Sequence, residues 1–224
     1  MLSMVKGGGL PILIFLFTFT IASAQEHSRK TLLPHLWEDQ KRIWTSPVAP
    51  LILLGIFAAS FSLDGAPSRD LRRDGRFQDF NESFNSTPSH LVLAGFPLLV
   101  LATGKTVRNQ DLIEGGWKFS EATLNALVVS HVLKGITQRS RPHTGKEYGF
   151  WKGGNSFPSG HAAVAWSLAA ATSQHFKEEK WVQWIVYPLA GVVSFSRVSS
   201  GNHFASDAVI GSALGYLIGK YVAH

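Results

Sequence analysis

The chain has 224 residues, enough for one domain and thin for two. Hydrophobic residues make up 45% and charged residues 16%, which excludes a disordered polar chain. The absence of cysteine excludes a disulfide framework, a thiolate metal site and a cysteine nucleophile. A formal net charge of +6 points to anionic partners, whether phosphate esters, an acidic membrane surface or nucleic acid.

Residues 1–24 read as a secretory signal. Lys6 supplies a positive start, Leu10 to Ile21 is an uncharged apolar run, and Ala22-Ser23-Ala24 places small residues at a cleavage site after Ala24. The alternative is an uncleaved anchoring helix. The apolar run rises only about 18 Å against the ~30 Å hydrocarbon core, which favours cleavage. The expectation is therefore export, to the periplasm or the periplasmic face of the cell envelope, with 25–224 as a single domain.

Gln25 to Pro47 is polar with interspersed aromatics, and predicts a short amphipathic helix around Leu36 to Trp44. Val48 to Leu63 carries no charge. Asp64 to Asn85 is densely charged and reads as a solvated connection with short helical pieces. Leu91 to Thr103 is apolar again. Phe119 to Thr137 predicts a helix, and Arg139 to Phe157 a loop bearing Gly and Pro. Gly160 to Phe176, Lys180 to Phe195 and Phe204 to Val222 predict three more helices, the second kinked at Pro188. No sustained alternation appears, so the fold class is all-α: a single helical bundle of about six main helices. The run lengths favour a bundle that is soluble or lies against a membrane, with integral insertion as the alternative.

Three segments carry chemistry. The first runs from Lys134 through Arg141 to Pro142, with Lys134 near a helix C-terminus and Pro142 turning the chain. The second is Phe157-Pro158-Ser159-Gly160-His161, a helix start with Ser159 at the N-cap. There Gly160 lets an anion approach the first amides, beside His161. The third contains Arg197, His203 and Asp207. The four-residue spacing of His203 and Asp207 puts them on one helix face. Asp207 can then accept the Nδ1 proton of His203 and leave Nε2 with its lone pair. Each segment alone has a bland reading as a capped helix or a surface pair. Together they supply three cations, an anion-binding helix start, two histidines and one orienting carboxylate, an inventory for phosphoryl transfer.

The strings KGITQRSRP, PSGH and SRVSSGNHFASD resemble the three signature motifs of the type 2 phosphatidic acid phosphatase (PAP2) family. Its superfamily includes bacterial nonspecific acid phosphatases and vanadium haloperoxidases. All eleven fixed positions of the pattern K-x6-RP, PSGH, SR-x5-H-x3-D match in order. The resemblance implies the helical bundle of that superfamily and a phosphatase acting on phosphate monoesters or diphosphates, lipid phosphates foremost. It implies that His203 attacks phosphorus to form a phosphohistidine, that Asp207 orients it, and that His161 protonates the leaving alkoxide and then activates water. Lys134, Arg141, Arg197, the Ser159 hydroxyl and the Gly160 amide would hold the phosphate oxygens. No metal or other cofactor is implied, since the cations do the work of Mg²⁺ in kinases.

Other residues read more plainly. His131 reads as a core or supporting histidine, and Asp70 and Asp74 as a salt-bridged surface rather than metal ligands. His143, Lys146, Tyr148 and Trp151 shape substrate access or form a plain surface loop. Trp181, Trp184 and Tyr187 read as packing, or as an interfacial belt if the protein meets lipid. Four rival functions stand beside a lipid phosphatase. They are a periplasmic acid phosphatase on small esters, a vanadium haloperoxidase, a non-enzymatic binder of anionic envelope lipid and, weakest, a nucleic-acid module.

Overall fold

The computed structural model describes residues 89–144 and 149–223, shorter pieces at 55–56, 58–65, 75–77 and 79–82, and the single residues Lys41 and Leu71. All fall within one compact unit, Asp39–His224. The signal segment 1–24, the helix expected around Leu36 to Trp44, and Asp70, Asp74, Lys146 and Tyr148 lie outside the described residues.

The described residues are helical, with no strand among them. Five α-helices carry the fold: α1 Ser89–Val107, α2 Gln110–Thr137, α3 Gly160–His175, α4 Lys180–Ser199 and α5 Ala205–Val222. Helical pieces at 55–56, 58–60 and 79–82 and short 3-10 turns at Phe61–Asp64, Gly75–Phe77 and Pro142–Thr144 complete it. The expected helical bundle is present, and about six main helices is close to the observed number.

Two helix boundaries differ from the sequence expectation. α2 begins at Gln110, where Asn109 caps it by accepting the Leu112 N–H at 3.1 Å. Gly115 and Gly116 disguise that extension as a loop, yet glycine serves packing there: a Cβ on Gly116 would sit 2.7 Å from the Leu101 backbone of α1. α4 runs to Ser199 and passes through Pro188 without ending.

α3 is the central helix, packed against α2, α4 and α5, while α1 packs on α2. Its sequence explains the position. From Ala162 to Thr172 nearly every side chain is buried, and most are alanine, so α3 is apolar all round and thin. α5 answers with Gly211, Gly215 and Gly219, spaced four apart on one face. A Cβ on any of them would lie 2.1–2.5 Å from a carbonyl oxygen, that of Ser159 just before α3 or of Ala163 or Ser167 on it. Only glycine permits this backbone-to-backbone approach. Phe119, Ala122 and Ala126 of α2 and Ile218 and Val222 of α5 close the main core around α3.

This packing gathers four helix ends at one end of the bundle: the C-termini of α2 and α4 and the N-termini of α3 and α5. Every side chain singled out for phosphoryl transfer sits on those ends, on the loop from Gln138 to Ser159 or, for His203, in the short connection between α4 and α5.

Candidate active site

The α2 terminus sets the first cation. Gln138 takes the left-handed conformation (φ 44°) and ends the helix, leaving Lys134 in its last turn. The Lys134 ammonium donates to the carbonyl oxygens of Asn155 at 2.7 Å and Pro158 at 2.8 Å. Arg141 Nε donates to Asn155 Oδ1 at 2.8 Å. Asn155, absent from the sequence expectations, therefore holds both cations from one loop position. That loop folds tightly: the Ser156 N–H donates to the Arg139 carbonyl at 2.9 Å, and a Cβ on Gly154 would stand 2.2 Å from the same oxygen.

Arg197 lies in the last turn of α4 and is 4% exposed. Its Nε donates to Ser196 Oγ at 3.1 Å, and its carbonyl accepts the His203 N–H at 3.0 Å. The buried Arg197 Nη2 has no hydrogen-bond partner among the described residues.

Ser159 is the N-cap residue of α3, as expected, although its hydroxyl makes no cap bond. Its Oγ is buried and unpartnered among the described residues. Its amide is committed elsewhere, donating to the Asp207 carbonyl at 2.9 Å. At Gly160 a Cβ would meet Ser130 Oγ at 3.6 Å and Lys134 Cε at 3.9 Å, ordinary contacts. The open side of Gly160 therefore faces Lys134. His161, half-buried, follows in the first turn of α3.

His203 is 3% exposed and stands two residues before α5; Asp207, fully buried, is in the first turn of that helix. The Nδ1 to Asp207 Oδ2 distance is 3.6 Å, a close approach just beyond hydrogen-bond range. Catalytic hydrogen bonds are often long in unliganded sites and tighten when substrate binds. Asp207 is itself held firmly. Oδ2 accepts from the Ser156 hydroxyl and from the Phe204 N–H at 3.0 Å, and Oδ1 accepts from Arg139 Nη1 at 2.6 Å.

The charges read consistently. Burial lowers the Lys134 ammonium to about 8, helped by the Arg141 charge and opposed by Asp207. Burial also lowers Arg141, again against Asp207, and lowers Arg197, where Arg141 adds to the effect. Burial pushes His203 down to about 4 in spite of Asp207, so its ring is neutral near pH 7. Burial alone would raise Asp207, but its contact with His203, the Arg139 charge and the Ser156 hydroxyl hold it below the usual carboxylate range.

One contrast organises the site. Arg139 touches two carboxylates, those of Asp64 and Asp207. Lys134, Arg141 and Arg197 touch only carbonyl, amide and hydroxyl oxygens among the described residues. Three partly desolvated like charges repel one another, and a bland structural role gives no return for that cost. A multiply charged tetrahedral anion would.

Several expectations need correction. Asp64, placed in a solvated connection, is nearly buried and bonded to Arg139 and to Ser206. His131 is exposed on α2, its Nδ1–H directed at the Leu127 carbonyl at 2.8 Å, so it is not a core histidine. Trp181 and Trp184 are 62% and 78% exposed and do not pack in the interior, whereas the Tyr187 ring makes tilted contacts with Trp166 and Tyr216. His143 links its 3-10 turn to the Gly201 carbonyl at 3.2 Å, and Trp151 is exposed. Arg139, Ser156 and Asn155 went unnoticed in the sequence. The only available signal was their position within or beside the first two motifs.

Residues 115–224 match the sequence profile of the PAP2 superfamily. The chain is 36% identical over 75 residues to the lipid A 4'-phosphatase of Porphyromonas gingivalis, covering 34% of this chain and 31% of that one. It is 31% identical over 114 residues to the lipid A 1-phosphatase of the same organism, covering 47% and 25%. The matches thus span about a third or less of these curated relatives. Among solved structures, a transmembrane PAP2 type phosphatidylglycerolphosphate phosphatase from Bacillus subtilis aligns over 95% of this chain and 93% of its own, at 22% identity and a TM-score of 0.35.

Proposed function

Residues 115–224 belong to the PAP2 superfamily, and from that premise we propose that this chain is a metal-independent phosphatase of envelope lipid phosphates, working through a phosphohistidine on His203. The observation that carries the reading is that Lys134 and Arg141 both bond Asn155 and the Arg197 carbonyl accepts the His203 N–H, none of the three cations having a carboxylate partner among the described residues, while Asp207 stands behind buried His203.

In the first step the Nε2 lone pair of His203 attacks phosphorus, and the bond from phosphorus to the leaving oxygen breaks. His161 gives that oxygen its proton. Asp207 stabilises the positive charge that the ring acquires. Lys134, Arg141 and Arg197, with the Ser159 hydroxyl and the Gly160 amide, hold the three equatorial oxygens as charge shifts onto them. In the second step His161 takes a proton from water, the oxygen attacks phosphorus, and the P–N bond breaks to release phosphate and restore His203. The three cations supply the charge that a metal ion supplies in other phosphoryl-transfer sites.

Lipid as the substrate class is supported by the relatives, whose names specify lipid A, and by the surface. No helix among the described residues is long and apolar enough to cross a membrane. Yet α4 has no charged residue between Lys180 and Arg197, about 25 Å of helix. Its outward face exposes Trp181, Trp184, Ile185, Leu189 and Val192. We read this face as lying against lipid, with the indoles at headgroup level and the phosphate site at the far end of the same helix. Export to the periplasmic side of the envelope completes the proposal.

The deciding experiment compares turnover of lipid A phosphates, phosphatidic acid and a prenyl diphosphate with a small chromogenic ester, each with and without EDTA. Preferred, chelator-resistant release from the lipids supports the reading; faster turnover of the soluble ester alone moves it to a nonspecific acid phosphatase. Trp184→Glu should weaken vesicle binding while leaving turnover of the soluble ester intact.

A further inference from the structure

We propose that Asp64 is a positioning residue of this site, acting on the His203–Asp207 pair through Arg139; the inference rests on the phosphatase reading above. Asp64 lies well before residue 115, where the family match begins, at the end of the 3-10 turn Phe61–Asp64. Its Oδ1 accepts the Ser206 N–H at 2.8 Å. Its Oδ2 accepts the Ser206 hydroxyl at 2.6 Å and Arg139 Nη2 at 2.7 Å. Arg139 continues the chain of contacts, with Nη1 donating to Ser206 Oγ and to Asp207 Oδ1, each at 2.6 Å. The rings of Phe61, Phe150 and Phe204 wall in the guanidinium, with centroids 5.1, 5.0 and 4.3 Å away.

The arrangement puts one buried cation between two carboxylates. Paired with Asp207 alone, Arg139 would cancel the charge that His203 needs behind it when its ring becomes cationic. Asp64 restores a net negative charge to the cluster. By holding the amide and the hydroxyl of Ser206, it also fixes the first turn of α5, which carries Asp207. Other charges facing His203 are Lys134 and Arg141, both of which oppose its protonation. The Asp64–Arg139–Asp207 chain is thus the counterweight to the phosphate-binding cations.

The test uses the full chain with Asp64→Asn, which keeps shape and an acceptor while removing charge. Ser62→Ala serves as a control: it removes the Ser62 hydroxyl bond to the Ala59 carbonyl in the same turn without touching Arg139 or altering charge. Steady-state kinetics on a chromogenic phosphate ester and NMR titration of the His203 ring are measured alongside thermal unfolding. We expect kcat about tenfold lower in Asp64→Asn with KM nearly unchanged, the mark of an interaction felt in the transition state. The His203 midpoint should move further down, and Ser62→Ala should show neither change beyond what its lost stability explains. An unchanged kcat and an unmoved His203 titration in Asp64→Asn would overturn the inference, as would equal kcat losses in both variants. If His203→Ala keeps wild-type turnover, the phosphohistidine reading fails instead, and the ring titration alone decides whether Asp64 acts on His203.

Discussion

The backbone N–H of Ser159 donates to the carbonyl oxygen of Asp207 at 2.9 Å. This one bond ties the start of α3, which carries Gly160 and His161, to the first turn of α5, which carries the carboxylate behind His203. The two proposed chemical partners therefore belong to helices that are locked together at their N-termini. The lock depends on the glycine face of α5, because Gly211 admits the Ser159 carbonyl to within 2.5 Å of where a Cβ would stand.

That dependence predicts a stability effect. In Gly215→Ala the new methyl would sit 2.1 Å from the Ala163 carbonyl, and the helices must part. The expected loss is about 1–3 kcal/mol, or a fall in Tm of roughly 2–10 °C by thermal melt. Gly191→Ala on α4 meets nothing within 4 Å and should leave Tm unchanged or raise it, as helix propensity favours alanine.

Removing a cation should act on the transition state. Arg197→Ala takes away a buried guanidinium whose Nη2 has no other partner among the described residues. A preorganised donor of this kind contributes about 3 kcal/mol, so kcat/KM should fall roughly a hundredfold. Arg197→Lys should recover little, since an ammonium lacks the planar fork. Activity within a few fold of wild type in Arg197→Ala would remove Arg197 from the phosphate cradle.

Lys134 gives a pH-dependent readout. Burial and Arg141 lower its ammonium to about 8, so it loses charge as pH rises through that value. Competitive inhibition by inorganic phosphate should weaken above pH 8 in the wild type. In Lys134→Arg the charge persists, and inhibition should stay level to higher pH.

Acid should destabilise the fold in two stages. His203 titrates near 4 when folded and near 6.5 when unfolded, so the unfolded chain binds the extra proton first. Stability is full above about pH 6.5 and falls as pH drops toward 4. Asp207, held below its ordinary value, keeps its contribution above about 3.8 and loses it at still lower pH. Denaturant midpoints across pH 3–8 check this, and His203→Gln should flatten the upper stage.

The helices and the proposed site residues were legible in the sequence for different reasons. α3 and α5 show long apolar runs after clear start signals, and eleven motif positions fall in three short strings. The supporting shell was not legible. Asp64 reads as one more charge in a charged stretch, because only the folded chain carries the Phe61–Asp64 turn up to Ser206. Arg139 looks like part of a basic helix end, and nothing local separates it from Arg141. Their fates differ because Arg139 meets two carboxylates and Arg141 an amide oxygen. The exposure of Trp184 was equally hidden, since tryptophan at helical spacing marks a core face as readily as a lipid face.

The most direct test of the account is covalent trapping. The wild-type chain and His161→Ala are mixed with a ³²P-labelled phosphate ester bearing a good leaving group, then quenched. The account predicts a phosphoryl-enzyme that is acid-labile and base-stable, maps to His203, accumulates in His161→Ala and is absent from His203→Ala. Label carried by another residue, or turnover that survives His203→Ala, would contradict it.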